Sequence, residues 1–254
     1  MLKSERQEAL LRLTNERHTL SVRTAARLLD ISEMTVRRDF DELAAEGSVV
    51  RVRGGATAAA AGRGLALSRE QTRTERQLLN REAKQKVGAR AAELVSEGDT
   101  VFLGSGTTVE AMAAALPDMR LRVVTNSLPI LSILEDRAEM ELLLLGGLYR
   151  PKTGALIGPL AQETLSRMGT TCAFVGVNGI FEDKAYASNM DACALQRMAL
   201  SAANKRYLLA DAAKFERRDF YSFYSLDDLT AIVSEDGLAP DTRQGAEQFC
   251  PIIV

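Results

Sequence analysis

Beyond residue 98, short runs of apolar residues alternate with segments of helical pattern. The runs are T-V-F-L at 100–103, R-V-V-T at 122–125, E-L-L-L-L at 141–145, A-F-V-G-V at 173–177, R-Y-L-L-A at 206–210 and T-A-I-V at 230–233. Strands that are apolar along their whole length are typical of parallel sheets, because the helices that connect such strands cover both faces. This part of the chain therefore predicts an α/β domain with a mostly parallel sheet.

The N-terminal part carries a different pattern, in which three short helical segments precede a β run. Residues 2–17 have the spacing of an amphipathic helix, and Ser21 is placed to cap a second helix. A third helix begins at Ser32 and ends at Gly47. The run V-V-R-V-R-G-G-A at 49–56 then reads as one arm of a hairpin. Three helices and a hairpin in this order predict a winged helix-turn-helix fold.

Between these two parts, the segment A-T-A-A-A-A-G-R-G at 56–64 consists of small residues that cannot build a core, so we interpret it as a linker. A polar, basic helix follows from Arg81. We therefore assign residues 1–57 to a winged helix-turn-helix domain, 58–80 to a linker and connecting helix, and 81–254 to an effector domain.

Charge is distributed unevenly along the chain, although the formal net charge is −2. Residues 1–90 contain 18 Lys and Arg against 12 Asp and Glu, whereas the remainder contains 14 against 22. A basic front part favours a polyanionic partner for that part alone. The alternative is uneven surface charge without a function.

In a helix-turn-helix, the second helix of the pair enters the major groove and presents its first turns to the bases. That helix begins at Ser32, and its apolar positions Val36, Phe40 and Leu43 recur at i, i+4 and i+7, so the other side chains face outward. Arginine suits both guanine and phosphate, and a solvated helix face is the alternative interpretation. We expect double-stranded operator DNA to contact Ser32, Met34, Thr35, Arg37, Arg38 and, from the hairpin wing, Arg51, Arg53 and Gly54.

Three strands of the predicted sheet end in small or polar turns, at 104–108, 125–127 and 146–147. The carboxyl ends of parallel strands meet at one edge, where such folds bind ligands. In G-S-G-T-T at 104–108, glycines let backbone amides approach an anion, threonines add hydroxyls, and the next helix points its positive end at it. A purely structural glycine turn is the alternative.

A phosphate ester smaller than a nucleotide fits this turn, because the Gly-Lys-Ser/Thr of a P-loop and the dinucleotide fingerprint are both missing. Polar side chains near the turns could hold sugar hydroxyls, and Arg150 or Lys214 could neutralise charge, although each could also be a surface or packing residue. The candidate ligand-binding residues are Gly104, Ser105, Gly106, Thr107, Thr108, Asn126, Ser127, Gly147, Arg150, Asn178, Asp191 and Lys214.

The chain contains one histidine, His18, which excludes Ser-His-Asp and Cys-His catalysis and most zinc sites unless His18 itself serves. Its three cysteines have neither disulfide nor metal-finger spacing. No apolar run approaches the roughly 20 residues that cross a bilayer, and the start of the sequence lacks a signal-peptide pattern. We expect a cytoplasmic protein with no metal, no cofactor and no membrane partner.

The segments S-E-M-T-V-R-R-D-F at 32–40 and R-G-G-A at 53–56 resemble the DNA-binding signature of the DeoR family of bacterial transcription regulators. The resemblance extends through V-T-N-S at 124–127, L-L-L-L-G-G-L-Y-R at 142–150, T-G-A-L-I-G-P at 153–159 and A-D-A-A-K-F at 210–215. Within that family, the set is most similar to the repressors of lactose phosphotransferase systems.

This resemblance implies an effector domain similar to sugar-phosphate isomerases and deaminases. It also implies that Ser105, Gly106, Thr107 and Thr108 hold a phosphate, that Lys214 is a second anchor, and that a ketohexose phosphate such as tagatose 6-phosphate is the inducer. The chain departs from the family at Gly104, where many members carry Asp, and at Ala212-Ala213, where they carry a Ser pair.

The sequence therefore predicts a transcription regulator that is not an enzyme, most simply a repressor of a sugar-utilisation operon released from DNA by a phosphorylated sugar. Covering two DNA half-sites requires a homo-oligomer, either a dimer or a tetramer. Two alternatives stay open. One is a sugar-phosphate isomerase or deaminase with an appended DNA-binding module, using Asp191 or Asp211 as the base, and the other is an architectural DNA binder.

Overall fold

A computed structural model of the chain describes residues 3–17, 19–45, 48–52, 54–58 and 70–254. It separates into two units, Met1–Ala66 and Leu67–Val254. His18, Gly47 and Arg53, which the sequence analysis names, lie outside the described residues, as do residues 59–69 of the predicted linker. No described helix is long and apolar enough to cross a membrane.

The first unit is a winged helix-turn-helix, as the sequence predicts. Its elements are α1 (Lys3–Arg17), β1 (Thr19–Ser21), α2 (Val22–Leu29), α3 (Glu33–Ala45), β2 (Val49–Val52) and β3 (Gly55–Ala58). Serine side chains cap both helices of the pair, because Ser21 Oγ accepts from Thr24 N at 3.0 Å and Ser32 Oγ accepts from Thr35 N at 3.1 Å. Asp30 takes a left-handed conformation at the end of α2, which starts the turn toward α3.

The three strands of this unit form one antiparallel sheet in the order β1-β3-β2. The sequence predicted the hairpin but not β1, because three residues are too few to show a strand period. One core holds the unit together, and it contains Leu10, Leu20, Val36, Phe40, Leu43 and Val49. Burial of this stripe of α3 leaves the other faces of that helix available to a partner.

The second unit begins with α4 (Arg73–Leu78) and α5 (Arg81–Ala92), and strands and helices then alternate. The strands are β4 (Thr100–Leu103), β5 (Leu121–Thr125), β6 (Met140–Leu144), β7 (Leu148–Arg150), β8 (Ala155–Ile157), β9 (Thr170–Gly176), β10 (Gly179–Phe181), β11 (Lys184–Ala187), β12 (Ala203–Leu209), β13 (Tyr221–Ser225), β14 (Ala231–Val233) and β15 (Ile252–Ile253). The helices among them are α6 (Thr107–Ala115), α7 (Leu128–Leu134), α8 (Pro159–Ser166), α9 (Met190–Ala202) and α10 (Pro240–Glu247).

Seven parallel strands form the main sheet, in the order β15-β14-β12-β9-β4-β5-β6. Alternate side chains of each strand point to opposite faces, so the sheet has two cores. Val101 and Leu103 pack with α5, α6 and α7, whereas Phe102 packs with α8 and α9. This three-layer arrangement confirms the predicted α/β class.

The strand order reverses direction between β4 and β9. From β4 the chain moves outward through β5 to β6, and it then returns to place β9 on the other side of β4. In open α/β sheets such a reversal opens a crevice at the carboxyl ends of the two strands, which is where ligands bind. The crevice of this unit therefore lies beside the turn that follows β4.

Residues 70–80, predicted as part of the linker and connecting helix, make their contacts within the second unit. Helix α4 packs on α6, and Arg73 N donates to the carbonyl of Lys152 at 2.8 Å. The helix is thereby part of the effector unit, and the chain enters that unit through it.

Candidate functional site

The exposed face of α3 carries most of the side chains predicted to contact DNA. Met34 is 76% exposed, and Ser32, Arg37 and Arg38 are also exposed, while Thr35 is half-buried. Met34 lies on the same helix as the buried Val36 but does not contribute to the core, so its exposed side chain is available to a partner. The arrangement suits insertion of this helix into a groove.

Both arginines of α3 are engaged in weak, solvent-exposed ion pairs. Arg37 Nη2 lies 2.9 Å from Glu33 Oε2, and Arg38 Nε lies 3.6 Å from Glu42 Oε1 with its side chain 82% exposed. Exposed pairs of this kind contribute little stability. Each guanidinium can therefore exchange its carboxylate for a DNA phosphate or base at small cost.

Arg51, predicted to contact DNA from the wing, lies on β2 of the hairpin and is held by contacts within the first unit. Its Nε donates to Asp41 Oδ1 at 2.7 Å, and its Nη1 donates to the Gly55 carbonyl at 2.6 Å. Its guanidinium also lies 5.8 Å from the centre of the Phe40 ring. Gly54 takes a φ of +84°, which favours glycine, and its carbonyl accepts from Val22 N at 2.8 Å. Arg51 thus links α3 to the hairpin.

A buried ion pair that the sequence analysis did not identify holds α3 against α1. Asp39 is 1% exposed, and Arg6 donates to it from Nε at 2.5 Å and from Nη2 at 3.1 Å. Asp39 lies between Val36 and Phe40 on the buried stripe, which is the sequence signal that a charged residue there needs a partner. The hydrogen bonds to Asp39 raise the pKa of Arg6.

In the second unit, the turn after β4 forms one wall of a pocket. Ser105, Gly106, Thr107 and Thr108 line it. Gly106 has a φ of +154° and is followed at once by α6, which begins at Thr107. The N-terminus of α6, with its unpaired N–H groups and positive dipole end, therefore faces the pocket.

Four basic side chains line the same pocket, namely Arg76 of α4, Lys84 of α5, Arg150 of β7 and Lys214 of the 3₁₀ turn after β12. Glu70 is the acidic residue among the lining residues that the structure describes, and its carboxylate lies 2.7 Å from Arg150 Nη2. The buried carboxyl group of Asp211 acts electrostatically on both lysines. The described lining thus has four basic side chains and one acidic one, and Asp211 offsets part of the positive charge from outside it.

Burial, together with the nearby charge of Lys214, lowers the pKa of Lys84 to about 8. Burial is also the main cause that lowers the pKa of Lys214 and that of Arg76. Burial thus destabilises the charged form of each group, and a bound anion would favour it. Such perturbed groups in a crevice are typical of a binding site.

Lys84 also ties α5 to the end of α4. It is 5% exposed, and its ammonium donates to the carbonyl of Arg76 and, at 2.7 Å, to that of Leu79. These bonds satisfy two carbonyls at the C-terminus of α4. One lysine therefore positions the backbone of Arg76 while its own charge faces the pocket.

Another part of the lining is uncharged. It comprises Asn178 after β9, Ser188 after β11, and Asn189, Ala192 and Gln196 at the start of α9 and along one of its faces. Asn178 Nδ2 donates to Ser188 Oγ at 3.2 Å and to Asp219 Oδ2 at 2.8 Å, which fixes the orientation of its amide. Amide and hydroxyl groups of this kind suit sugar hydroxyls.

Three lining residues carry a buried polar atom that has no hydrogen-bond partner within the described part of the chain. The atoms are Arg76 Nε, Thr153 Oγ1 and Gln196 Oε1. Unsatisfied buried polar groups are rare in folded proteins, because each costs about 1–3 kcal/mol. Their concentration around one crevice indicates a polar ligand that supplies an acceptor to Arg76 and a donor to Gln196.

The pocket brings together seven of the predicted ligand residues, while five lie outside its lining. Those inside are Ser105, Gly106, Thr107, Thr108, Arg150, Asn178 and Lys214. Those outside are Gly104, Asn126, Ser127, Gly147 and Asp191. The turns after β5 and β6 follow strands on the far side of β4 from β9, so their residues do not reach the crevice.

Each of the five has a structural position instead. Asn126 lies under the β4 turn, where its Oδ1 accepts from Ser105 N at 3.1 Å and its Nδ2 donates to the Leu156 carbonyl at 3.0 Å. Ser127 caps α7, and Asp191 is exposed in the first turn of α9. Gly104 packs against Val175, and Gly147 packs against the backbone of Ile157. Asn126 therefore supports the anion-binding turn from below.

The main site residues that the sequence analysis missed are Arg76, Lys84, Glu70 and Gln196. A signal existed for Lys84, because it lies three and seven residues before Val87 and Ala91 and so shares their buried face. The same holds for Gln196, which precedes Ala199 and Leu200 on α9. Among the described residues, no group of three or more His, Cys, Asp or Glu is placed to hold a metal ion.

Comparison with known proteins gives a consistent result for both units. A DeoR-like helix-turn-helix domain matches residues 6–61, and a DeoR C-terminal sensor domain matches residues 79–236. The lactose phosphotransferase system repressor of Streptococcus mutans is 37% identical over 255 residues, covering 100% of this chain and 100% of that protein. The repressor of the same name from Lactococcus lactis is 36% identical over 256 residues, covering 100% of this chain and 99% of that protein.

Among solved structures, the chain is similar to a ribose 5-phosphate isomerase A from Methanocaldococcus jannaschii. The identity is 18% and the TM-score is 0.40, with 54% of this chain and 55% of that chain covered.

Proposed function

The chain belongs to the DeoR family of transcription regulators, and from this premise we propose that it represses a sugar-utilisation operon and leaves its operator DNA when a phosphorylated sugar binds in the pocket of the second unit. The proposal assigns DNA binding to the exposed face of α3. It assigns ligand binding to the crevice between β4 and β9. The two assignments are supported by different residues and can be tested separately.

The observation that carries the ligand assignment is the convergence of Arg76, Lys84 and Lys214 on the turn at 105–108. Basic side chains outnumber acidic ones in the described lining, which suits the negative charge of a phosphate ester.

The rest of the ligand is a polyhydroxylated chain, because the uncharged polar side chains of the lining are amides and hydroxyls. The closely similar repressors carry the name of the lactose phosphotransferase system. A ketohexose phosphate, of which tagatose 6-phosphate is one, combines a phosphate with the hydroxyls that this lining suits. An unphosphorylated sugar lacks the group that the cations require.

Ligand binding reaches the DNA-binding unit through α4 and the residues just before it. Glu70 and Arg76 both line the pocket, and they belong to the first described segment of the second unit. A phosphate that pairs with Arg76 also competes with Glu70 for Arg150 and so weakens the Glu70–Arg150 ion pair. The segment that carries Glu70 and Arg76 then favours a different position. A ligand can shift an equilibrium only through such a difference between the two states.

Operator recognition by this fold uses two copies of α3 at a time. Half-sites for paired helix-turn-helix units lie about 34 Å apart, or one turn of DNA. We propose a dimer or tetramer of this chain as the DNA-binding form. Release then follows when the ligand changes the spacing of two α3 helices.

The isomerase or deaminase alternative receives no support from the carboxylates that it would need. Asp191 is exposed and lies outside the pocket lining. Asp211 is buried, and its Oδ1 accepts from Asn80 Nδ2 at 3.0 Å, so it is positioned to hold α5 and to balance the two lysines. The chain is a regulator, and we propose that it binds its sugar phosphate without converting it.

Isothermal titration of the full chain tests the ligand assignment. We expect tagatose 6-phosphate or fructose 6-phosphate to bind, and tagatose and fructose not to bind. Lys84→Met should weaken the sugar phosphates at least tenfold, whereas Lys86→Met, an exposed change on the same helix, should leave binding unchanged. Failure of every phosphorylated sugar to bind would refute the assignment.

A further inference from the structure

Gln196 presents an unsatisfied hydrogen-bond acceptor to the pocket. Its side chain is 8% exposed and lines the crevice, and its Oε1 is buried without a partner in the described part of the chain. An amide oxygen accepts but does not donate. The group that satisfies it must therefore bring an O–H or N–H.

A dianionic phosphate does not supply the donor that Gln196 Oε1 lacks. The cations of the pocket come from α4, α5, β7 and the 3₁₀ turn after β12, whereas α9 contributes Asn189, Ala192 and Gln196. These three residues lie at spacings of three and four, so they share one face of α9. A dianionic phosphate offers no donor and would repel an amide oxygen, and so the partner of Gln196 belongs to another part of the ligand.

The neighbours of Gln196 on this face of α9 do not satisfy its acceptor. Ala192 has no polar side-chain atom, and Asn189 is occupied as the helix cap, because its Oδ1 accepts from Ala192 N at 2.9 Å. Along this face of α9, Gln196 is therefore the side chain with a free acceptor.

We propose that Gln196 is a specificity-determining residue whose Oε1 accepts a hydrogen bond from a hydroxyl of the bound sugar phosphate. This inference rests on the proposed ligand site and adds to it the residue that contacts a hydroxyl of the sugar. Helix α9 then favours ligands that carry a hydroxyl besides the phosphate. Phosphate esters without such a hydroxyl bind through the cations alone.

Calorimetry with the full chain and three probes tests this role. The probes are fructose 6-phosphate, ethyl phosphate and inorganic phosphate. Gln196→Met removes the acceptor at similar size, and we expect it to weaken fructose 6-phosphate by about threefold to tenfold more than it weakens ethyl phosphate or inorganic phosphate. Gln196→Asn withdraws the acceptor by one methylene and should produce the same selective loss.

Gln162→Met, an amide-to-thioether change on α8 outside the pocket lining, is the matched control and should show no selective loss. Thermal unfolding of ligand-free Gln196→Met should occur at or above the temperature of the unsubstituted chain, because an unsatisfied acceptor has been removed. Equal losses for all three probes would overturn the role of Gln196 while leaving the pocket intact. If no probe bound the unsubstituted chain, the ligand site itself would be refuted.

Discussion

Arg73 of α4 donates two hydrogen bonds to Glu110 of α6, from Nε to Oε1 at 2.9 Å and from Nη2 to Oε2 at 3.0 Å. Gln77 adds a third at 3.0 Å. Glu110 is buried and lies one turn into the helix whose N-terminus faces the pocket. Helix α4, through which the chain enters the second unit, is thus bound to α6, the helix proposed to receive the phosphate.

Arg73→Met should destabilise the second unit, because it leaves the buried carboxylate of Glu110 with only Gln77 as a partner. Removal of one partner of a buried pair costs about 3–5 kcal/mol, and the partial exposure of Arg73 reduces this to about 1–3 kcal/mol. Urea unfolding of the variant measures this loss of unfolding free energy. Arg90→Met, which breaks an exposed pair with Glu93, should have little effect, and an equal loss in both variants would contradict the structural role of Arg73.

The Arg6–Asp39 pair should matter more for stability than for contact with DNA. Arg6→Met leaves a carboxylate that is nearly inaccessible to water without its main partner, and we expect the first unit to lose about 3 kcal/mol of unfolding free energy. Thermal unfolding of the full chain measures this as an earlier transition. Arg12→Met, an exposed change on α1, is the control. Unchanged unfolding of Arg6→Met would show that Asp39 finds another partner.

Arg38→Ala should weaken operator binding without affecting the fold, because its side chain is almost fully exposed and its ion pair is long. Loss of one phosphate contact reduces the slope of log affinity against log salt by about one. Fluorescence anisotropy with an operator fragment selected from random DNA measures both the affinity and its dependence on salt. Arg51→Ala should mainly reduce stability, since Arg51 is held by Asp41 and Gly55. If Arg38→Ala kept full affinity at every salt concentration, α3 would not be the reading helix.

Sugar-phosphate affinity should fall as the pH rises through about 8. Burial and the charge of Lys214 lower the pKa of Lys84 to about 8, so Lys84 loses its charge there while the phosphate keeps both of its own. Arg76, Asp211 and Glu110 also act on this lysine. Titrations at pH 7, 8 and 9 should show the decline, and Lys84→Met should remove most of it. An identical slope in Lys84→Met would contradict the assignment.

The same lysine gives an opposite trend for the ligand-free protein. The folded pKa of Lys84, about 8, lies below its unfolded value of about 10.4, so the unfolded state binds more protons between these two values. Stability from this group therefore rises with pH across that window. Thermal unfolding at pH 8 and 9.5, compared with Lys84→Met, isolates this contribution, and a fall of stability specific to the unsubstituted chain would contradict it.

Local patterns in the sequence were enough to predict both units and part of the pocket. The turn at 105–108 follows an apolar strand and precedes a helical segment, and no long-range information is needed to identify it. The order of the strands in the sheet cannot be predicted from local patterns, because it depends on which strands pair with one another. The turns after β4, β5 and β6 were expected to converge, whereas the end of β9 lies beside β4, so that Asn178, also a predicted ligand residue, lines the pocket and the turns after β5 and β6 do not.

Arg76 and Lys84 were missed for a related reason. Arg76 lies in the part of the chain interpreted as a linker and connecting helix, and Lys84 lies on the helix described as polar and basic. The packing of α4 and α5 against α6 brings both into the second unit. Burial is a property of the assembled unit, so a lysine on a basic helix gives no sign of a lowered pKa. The apolar neighbours Val87 and Ala91 were the one local hint.

The central claim is that filling the pocket releases operator DNA. Its most direct test is the anisotropy of a labelled operator fragment bound to the full chain during titration with tagatose 6-phosphate. We predict that the fragment dissociates with the sugar phosphate and not with tagatose, and that Lys84→Met binds the fragment but no longer releases it. Retention of the fragment at concentrations of tagatose 6-phosphate that calorimetry shows to saturate the protein would contradict the account.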